Sequence, residues 1–300
     1  MSVGWLAVKT GYLKDSLSDH LNAFTVKIAV PVLLFRAMVN LDFSQAFNFP
    51  TLAGFYIGGF LSFLAGIFLA RKVWKRRPGE SVAVGFCALF SNTVLLGLPI
   101  MLRVYGEADM APVFGIIALH AGTMYTIGMI SMELARADGR PIGETVKKAA
   151  ASILSNTLMI GVILGVLVNL SGVQLPQVIQ GPVDMLASSA LPVALIGIGA
   201  ALTRYTIKSE FSEALMISLL SLVLHPLITF IITHYLFGLP IEMIRAAVIL
   251  AAMPPGMNVY IFAALYDRAI GLSASVIVIA TSMSILTISA WIWVLSHLNL

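Results

Sequence analysis

Two short segments hold the residues best placed to do chemistry in an otherwise apolar chain. Ser91–Asn92–Thr93, followed by Gly97–Leu98–Pro99, lies in the middle of an apolar run at 81–103, and Ala252–Met253–Pro254–Pro255–Gly256–Met257–Asn258 lies inside a second run at 243–266. Adjacent prolines remove two backbone donors and fit poorly into an unbroken helix, while Gly256 permits the dihedrals of a restart. Either segment alone reads equally well as a harmless proline kink. As a pair, they predict non-helical backbone near mid-bilayer, where it must face protein or a watery cavity. Half-helices restarting near 95 and 257 would bring free N–H groups and positive dipole ends towards one point, a chemistry that favours an anion. Asn92 and Asn258 then act as neutral donors to a carboxylate or as caps on exposed backbone, and Ser91 and Thr93 can do either. With Gly97 and Met257 these form the candidate substrate-binding set; Pro99, Pro254, Pro255 and Gly256 form the set that shapes the breaks.

Four further residues are accessory candidates. Arg36 lies near the outer end of its run and either snorkels to headgroups or attracts an anionic substrate. His120, with Thr123 and Tyr125, follows the first break and reads either as part of a polar interior surface or as a packing residue. Thr281, beside Ser282 and Ser284, and Tyr260 are in the same position. His225–Pro226 reads as a kink, and Asn156 as a bond to a neighbouring helix. Catalysis is not indicated. The runs carry no deep Asp pair, no His-Glu-x-x-His and no partner for the single Cys87, so no catalytic residue, metal or cofactor is expected. Neither break contains an acidic residue, which leaves H⁺ coupling through Asp or Glu without a visible carrier. Na⁺ held by broken-helix carbonyls, with a neutral solute as cargo, is the alternative; an intramembrane enzyme or a receptor is the more distant one.

The elements that position these residues follow from composition. Of 300 residues 59% are hydrophobic and 11% charged, against roughly 25% charged in a soluble domain. A spanning helix needs about 20 apolar residues, and the runs predict nine helices, near 19–40, 50–70, 81–103, 109–133, 150–170, 178–202, 211–236, 243–266 and 269–296. The net charge of +4 is spread over short breaks between runs, so it forms no nucleic-acid face. If the basic turn 71–77 is cytoplasmic, parity places 9–18, 134–149, 203–210 and Asp267–Arg268 on the same side. That side collects fourteen of the eighteen Lys and Arg residues, and Arg103 and Arg245 border the other. This is the positive-inside pattern. It predicts a multi-pass protein, of the inner membrane in a bacterium, with its C-terminus outside.

An offset of 161 residues superposes Pro31–Val32 and Leu34 on Pro192–Val193 and Leu195, Tyr105–Gly106–Glu107–Ala108 on Tyr266–Asp267–Arg268–Ala269, and the run 50–70 on 211–231. Five crossings separate equivalent points, so the halves, 1–136 and 137–300, must be inverted relative to each other. Secondary transporters are built this way. The partner of helix 150–170 has only its tail here: Val3–Gly4–Trp5–Leu6–Ala7–Val8 before Lys9 reads as the inner end of a truncated first helix or as an interfacial segment.

On these residues the chain resembles the auxin efflux carrier family, including bacterial malonate and dicarboxylate permease-like members. Gly11–Tyr12–Leu13, Leu21–Asn22 and Pro31–Val32–Leu33–Leu34–Phe35–Arg36 are similar to the end of that family's first helix and to its second. Ser91–Asn92–Thr93 through Pro99 and Pro254–Pro255–Gly256–Met257–Asn258 are similar to its broken fourth and ninth, and Leu186 to Leu195 fits its seventh. The resemblance implies an all-α polytopic membrane protein of inverted five-helix repeats with two crossed broken helices. It implies a scaffold at about 1–40 and 150–202 and a transport domain at about 50–133 and 211–296. By the same resemblance Asn92 and Asn258 contact substrate, a small organic anion moved by alternating access. Membrane lipid, an H⁺ or Na⁺ coupling ion and a second copy met through the scaffold helices are the other partners expected.

Overall fold

The computed structural model describes residues 2–14, 16–106, 110–136, 157–201, 203 and 210–297. Within them fifteen α-helices follow one another without a strand. They are α1 Ser2–Lys9, α2 Ser16–Phe24, α3 Val30–Val39, α4 Phe43–Ala46, α5 Phe49–Lys72, α6 Pro78–Leu89, α7 Leu98–Tyr105, α8 Met110–Arg136, α9 Thr157–Ser171, α10 Gln177–Ala201, α11 Phe211–Leu219, α12 His225–Phe230, α13 Ile241–Ala251, α14 Met257–Tyr266 and α15 Ile270–Ser296. Wider π turns at Thr25–Ala29 and Leu220–Leu224 join α2 to α3 and α11 to α12, and another at Ile231–Leu236 extends α12.

Each of the nine expected runs holds helix. Seven helices among the described residues are long and apolar enough to cross a membrane, and Thr157–Ser171 and Met257–Tyr266 are shorter apolar helices. The run at 243–266 is short of a continuous span because it divides into α13 and α14 at the Pro254–Pro255 break. The chain is therefore an all-α, multi-pass integral membrane protein. Asn156, the 137–149 part of the inter-half loop, Glu107–Ala108 and 204–209 lie outside the described residues.

The chain separates into two compact units, one of residues 1–43 and 150–205 and one of 44–149 and 206–300. In the first, α3 packs on α9 and α10, and the short α1 packs on α10. Glycine makes the α3–α9 approach possible: Gly161 lies on the Pro31 carbonyl and Gly165 on that of Phe35, where a Cβ would collide. Past the last turn of α3, the Asn169 side-chain amide donates to the carbonyls of Met38, Val39 and Leu41 at 3.0, 2.8 and 3.1 Å. A side chain of α9 thus satisfies carbonyls that a helix end leaves without partners.

In the second unit α5 lies along α6 and α12. Its start is fixed by Asn48, whose Oδ1 accepts from the Thr51 N–H at 3.0 Å and from the Thr51 hydroxyl at 2.9 Å, the usual N-cap chemistry. Arg71 and Lys72 close its last turn, where positive charge suits the helix dipole. In the turn that follows, Arg76 makes a forked contact with Glu213 (Nη2–Oε2 2.8 Å, Nε–Oε2 3.1 Å) and also pairs with Glu210. Glu213 is fully buried. The hydrogen bond to Glu213 is the largest of the causes that raise the Arg76 pKa and keep the guanidinium charged.

Candidate functional site

The first break opens where α6 ends. Phe90 takes extended backbone angles and Asn92 leaves the helical region, after which the chain re-enters through a π turn at Thr93–Gly97 and continues as α7. The second break runs from Ala252 to Gly256, which is extended, and α14 restarts at Met257. The two breaks meet: the Asn92 N–H donates to the Pro254 carbonyl at 2.9 Å. A backbone donor freed by one interruption is thereby matched to an acceptor freed by the other, as hydrocarbon surroundings require. The span Pro78–Tyr105 is also the most enclosed of the candidate spans, with 83% of its most apolar window buried against 39% for Phe49–Lys72. All residues from Ala246 to Gly256 are buried.

Two glycines allow this approach. A Cβ on Gly97 would stand 2.5 Å from Leu250 Cδ2, and a Cβ on Gly256 would stand 3.0 Å from Asn92 Cγ and 3.1 Å from its Nδ2. The second contact seats the Asn92 amide directly on the restart of α14. Phe86 of α6 stacks on Phe262 of α14 with ring centroids 3.9 Å apart, so the helix before one break also grips the helix after the other.

The two asparagine oxygens are held by different donors. Asn92 Oδ1 accepts from the Leu95 N–H at 3.2 Å, and Asn258 offers its Oδ1 at 3.3 Å and its backbone carbonyl at 3.4 Å as alternative acceptors for the one hydrogen of the Tyr125 hydroxyl. Each side-chain nitrogen keeps its donor chemistry, and that of Asn92 lies against Gly256. Asn92 and Asn258 are both half-buried, Met257 is exposed, and Tyr260 is half-buried one turn further on. Ser91 and Thr93 are buried, and Pro99 occupies the first turn of α7.

Two histidines support the first break from behind. His120 Nε2 lies 2.9 Å from the Ser91 carbonyl, and His225 Nε2 lies 3.1 Å from that of Phe55. A carbonyl only accepts, so both rings carry their hydrogen on Nε2. Ser91 Oγ lies 3.4 Å from the Ala251 carbonyl and 3.5 Å from His225 Nδ1, giving its hydroxyl two alternative acceptors. Phe90 and Phe55 flank His120 edge-on. His225, read from the sequence as a kink marker, is thus a prop of the first break. Its one legible signal was a polar side chain inside a long apolar run.

Arg36 belongs to the other unit, where its Nε meets Asp184 Oδ1 at 2.8 Å, an ion pair that sequence reading did not suggest. Thr281 is half-buried on α15, and its carbonyl accepts from the Ser284 hydroxyl. The hydrogen bonds that tie the breaks together involve neither residue. Among the described residues no cluster of His, Cys, Asp or Glu could hold a metal ion.

Comparison with known proteins places this arrangement. The family described as "Membrane transport protein" matches residues 1–292. A "Putative malonate transporter" of Rhizobium meliloti is 24% identical over 296 residues, covering 95% of this chain and 91% of its own. An uncharacterized transporter of Methanocaldococcus jannaschii is 24% identical over 297 residues, with 98% and 94% covered. Auxin efflux carrier component 8 of Arabidopsis thaliana is 22% identical over 325 residues, with 89% and 86% covered. The chain belongs to this membrane transport protein family, that of the auxin efflux carriers, and its work is transport without covalent change.

Proposed function

We propose that the protein is a secondary transporter of a small organic anion, a mono- or dicarboxylate of malonate-like or auxin-like type, bound where the two broken helices cross. The observation that carries this reading is the matched pair of asparagines. Each oxygen accepts a hydrogen bond inside the protein, each NH₂ is a donor by its chemistry, and neither break carries an acidic side chain. Donors without a full countercharge suit a carboxylate that must be bound and then released, because no strong ion pair has to be broken on release. The restarts of the two half-helices add backbone N–H groups and dipole ends of the same sign. The name of the Rhizobium relative supports a carboxylate substrate.

In this reading the helices at about 50–133 and 211–296 form the moving body and those at about 1–40 and 150–202 the scaffold, the halves being inverted repeats; the division of the chain into two compact units supports it. Relative motion of the two bodies exposes the crossing to one side of the membrane and then the other. In a bacterium the protein sits in the inner membrane with its C-terminus outside.

Flux measured in proteoliposomes tests the reading. Wild type should move labelled malonate or an aromatic monocarboxylate down its gradient. Asn92→Ala and Asn258→Ala, at equal abundance in the vesicles, should each reduce kcat/KM by roughly 5- to 150-fold, the equivalent of the 1–3 kcal/mol that an unmatched polar contact costs. Normal kinetics in both variants would return the asparagines to capping and packing.

A further inference from the structure

A second polar site lies in the unit of residues 1–43 and 150–205. The end of α3, the turn after α9 and the first turns of α10 line a half-open cavity of about 470 Å³. Arg36 and Asp184 stand together in its wall, joined by a single Nε–Oδ1 contact of 2.8 Å, with side chains 46% and 57% exposed. One contact leaves both Arg36 Nη groups and Asp184 Oδ2 able to meet a ligand. Asn40 and Gln174 add uncharged polar groups to the same wall. The rim is of opposite character. Val173 lines the cavity and is 61% exposed, and Leu170 and Val178, close to it in the chain, are bare at 70% and 85%.

The geometry points to a binding site for the headgroup of a zwitterionic phospholipid, of the phosphoethanolamine class. A free anion would meet Asp184 and a free cation would meet Arg36, so neither is matched by the pair. A ligand carrying phosphate and ammonium a few ångströms apart meets both: phosphate oxygens accept from the Arg36 guanidinium, and the ammonium donates to Asp184. Leu170 ends the apolar helix α9, Val173 follows it and Val178 opens α10; in a spanning chain such helix ends meet the interface between headgroups and hydrocarbon. The three side chains give the acyl chains an apolar wall, which a soluble zwitterion would not use. The ammonium must donate hydrogen bonds, so phosphatidylethanolamine should be preferred to phosphatidylcholine, whose quaternary nitrogen has no hydrogen to give.

Native mass spectrometry of the delipidated full chain tests this. Presented with ethanolamine, choline and glycerol phospholipids of matched acyl chains, wild type should retain the ethanolamine lipid about tenfold over the other two, the size of effect one charge-assisted hydrogen bond supports. Asp184→Asn should abolish the preference over choline lipid, and Arg36→Gln should weaken retention of all three. Asn92→Ala, in the other unit, should keep the full preference, so the result is independent of whether the crossing carries an anion. If substitution harms folding, hydrogen–deuterium exchange of wild type in nanodiscs gives the same answer: ethanolamine lipid should protect 36–40 and 171–184 relative to glycerol lipid. Equal retention of glycerol lipid, an unchanged preference in both variants, or unchanged exchange would overturn the inference. So would soluble glycerophosphoethanolamine competing as strongly as the lipid, which would make the site one for a free zwitterion.

Discussion

At the crossing each asparagine oxygen already accepts one hydrogen bond from the protein, and the side-chain NH₂ is the group with hydrogens to give. Asn92→Asp and Asn258→Asp keep the shape of the side chain but replace two N–H donors with an anionic oxygen. Anion uptake should therefore fall further than in the alanine variants, and an initial-rate assay at equal abundance should rank wild type, Ala and Asp in that order. Tyr125→Phe removes the hydroxyl that fixes Asn258 without touching the amide, so it should raise KM several-fold with a smaller change in kcat, roughly the 0.5–1.5 kcal/mol of one neutral hydrogen bond. The asparagines were legible in the sequence because a polar side chain in an apolar run announces itself. Their partners were not: Tyr125 and Asn258 are 133 positions apart, and only packing shows which hydroxyl serves which amide. Of the two roles open to Asn92 in the sequence, the cap is visible in the bond from the Leu95 N–H to its oxygen, and the donor role belongs to the proposed function.

Among the elements, the breaks are better specified by glycine than by proline. Pro254 and Pro255 interrupt the helix, but Gly97 and Gly256 let the interrupted segments touch. Gly256→Ala should displace the Asn92 amide by a few tenths of an ångström. Transport should drop while membrane insertion and gel-filtration behaviour stay unchanged. A Gly256→Ala protein with wild-type uptake would show that the seat of Asn92 is not critical. Arg76→Ala tests the other end of the same unit. It leaves the fully buried Glu213 without its fork, and removing one partner of a buried ion pair typically costs about 3–5 kcal/mol, so a clear fall in thermal stability is expected in a detergent melt. Hydropathy located all nine runs, since burial in lipid and burial in protein demand the same apolar residues. It was silent on Arg76–Glu213 and on Arg36–Asp184, because pairing between charges on separate segments leaves no trace in a local pattern.

For the molecule as a whole, the distribution of basic residues predicts its orientation. With Cys87 replaced, single cysteines at 41–49, 171–177 or 297 should react with an impermeant maleimide from outside, and cysteines at 71–77 should react only after permeabilisation. Outside labelling near Arg76 would reverse the topology.

The bond from the Asn92 N–H to the Pro254 carbonyl also has a meaning in time. A ribosome adding about 5–20 residues per second delivers Pro254 roughly ten to thirty seconds after Asn92. For that interval the Asn92 N–H lacks the acceptor it has in the finished molecule, at a depth where an unsatisfied backbone group costs several kcal/mol. Until then the Asn92 N–H has to be served by another acceptor, such as water or the Ala88 carbonyl of a still unbroken helix. The crossing can therefore take its final form only after the second interruption has been made.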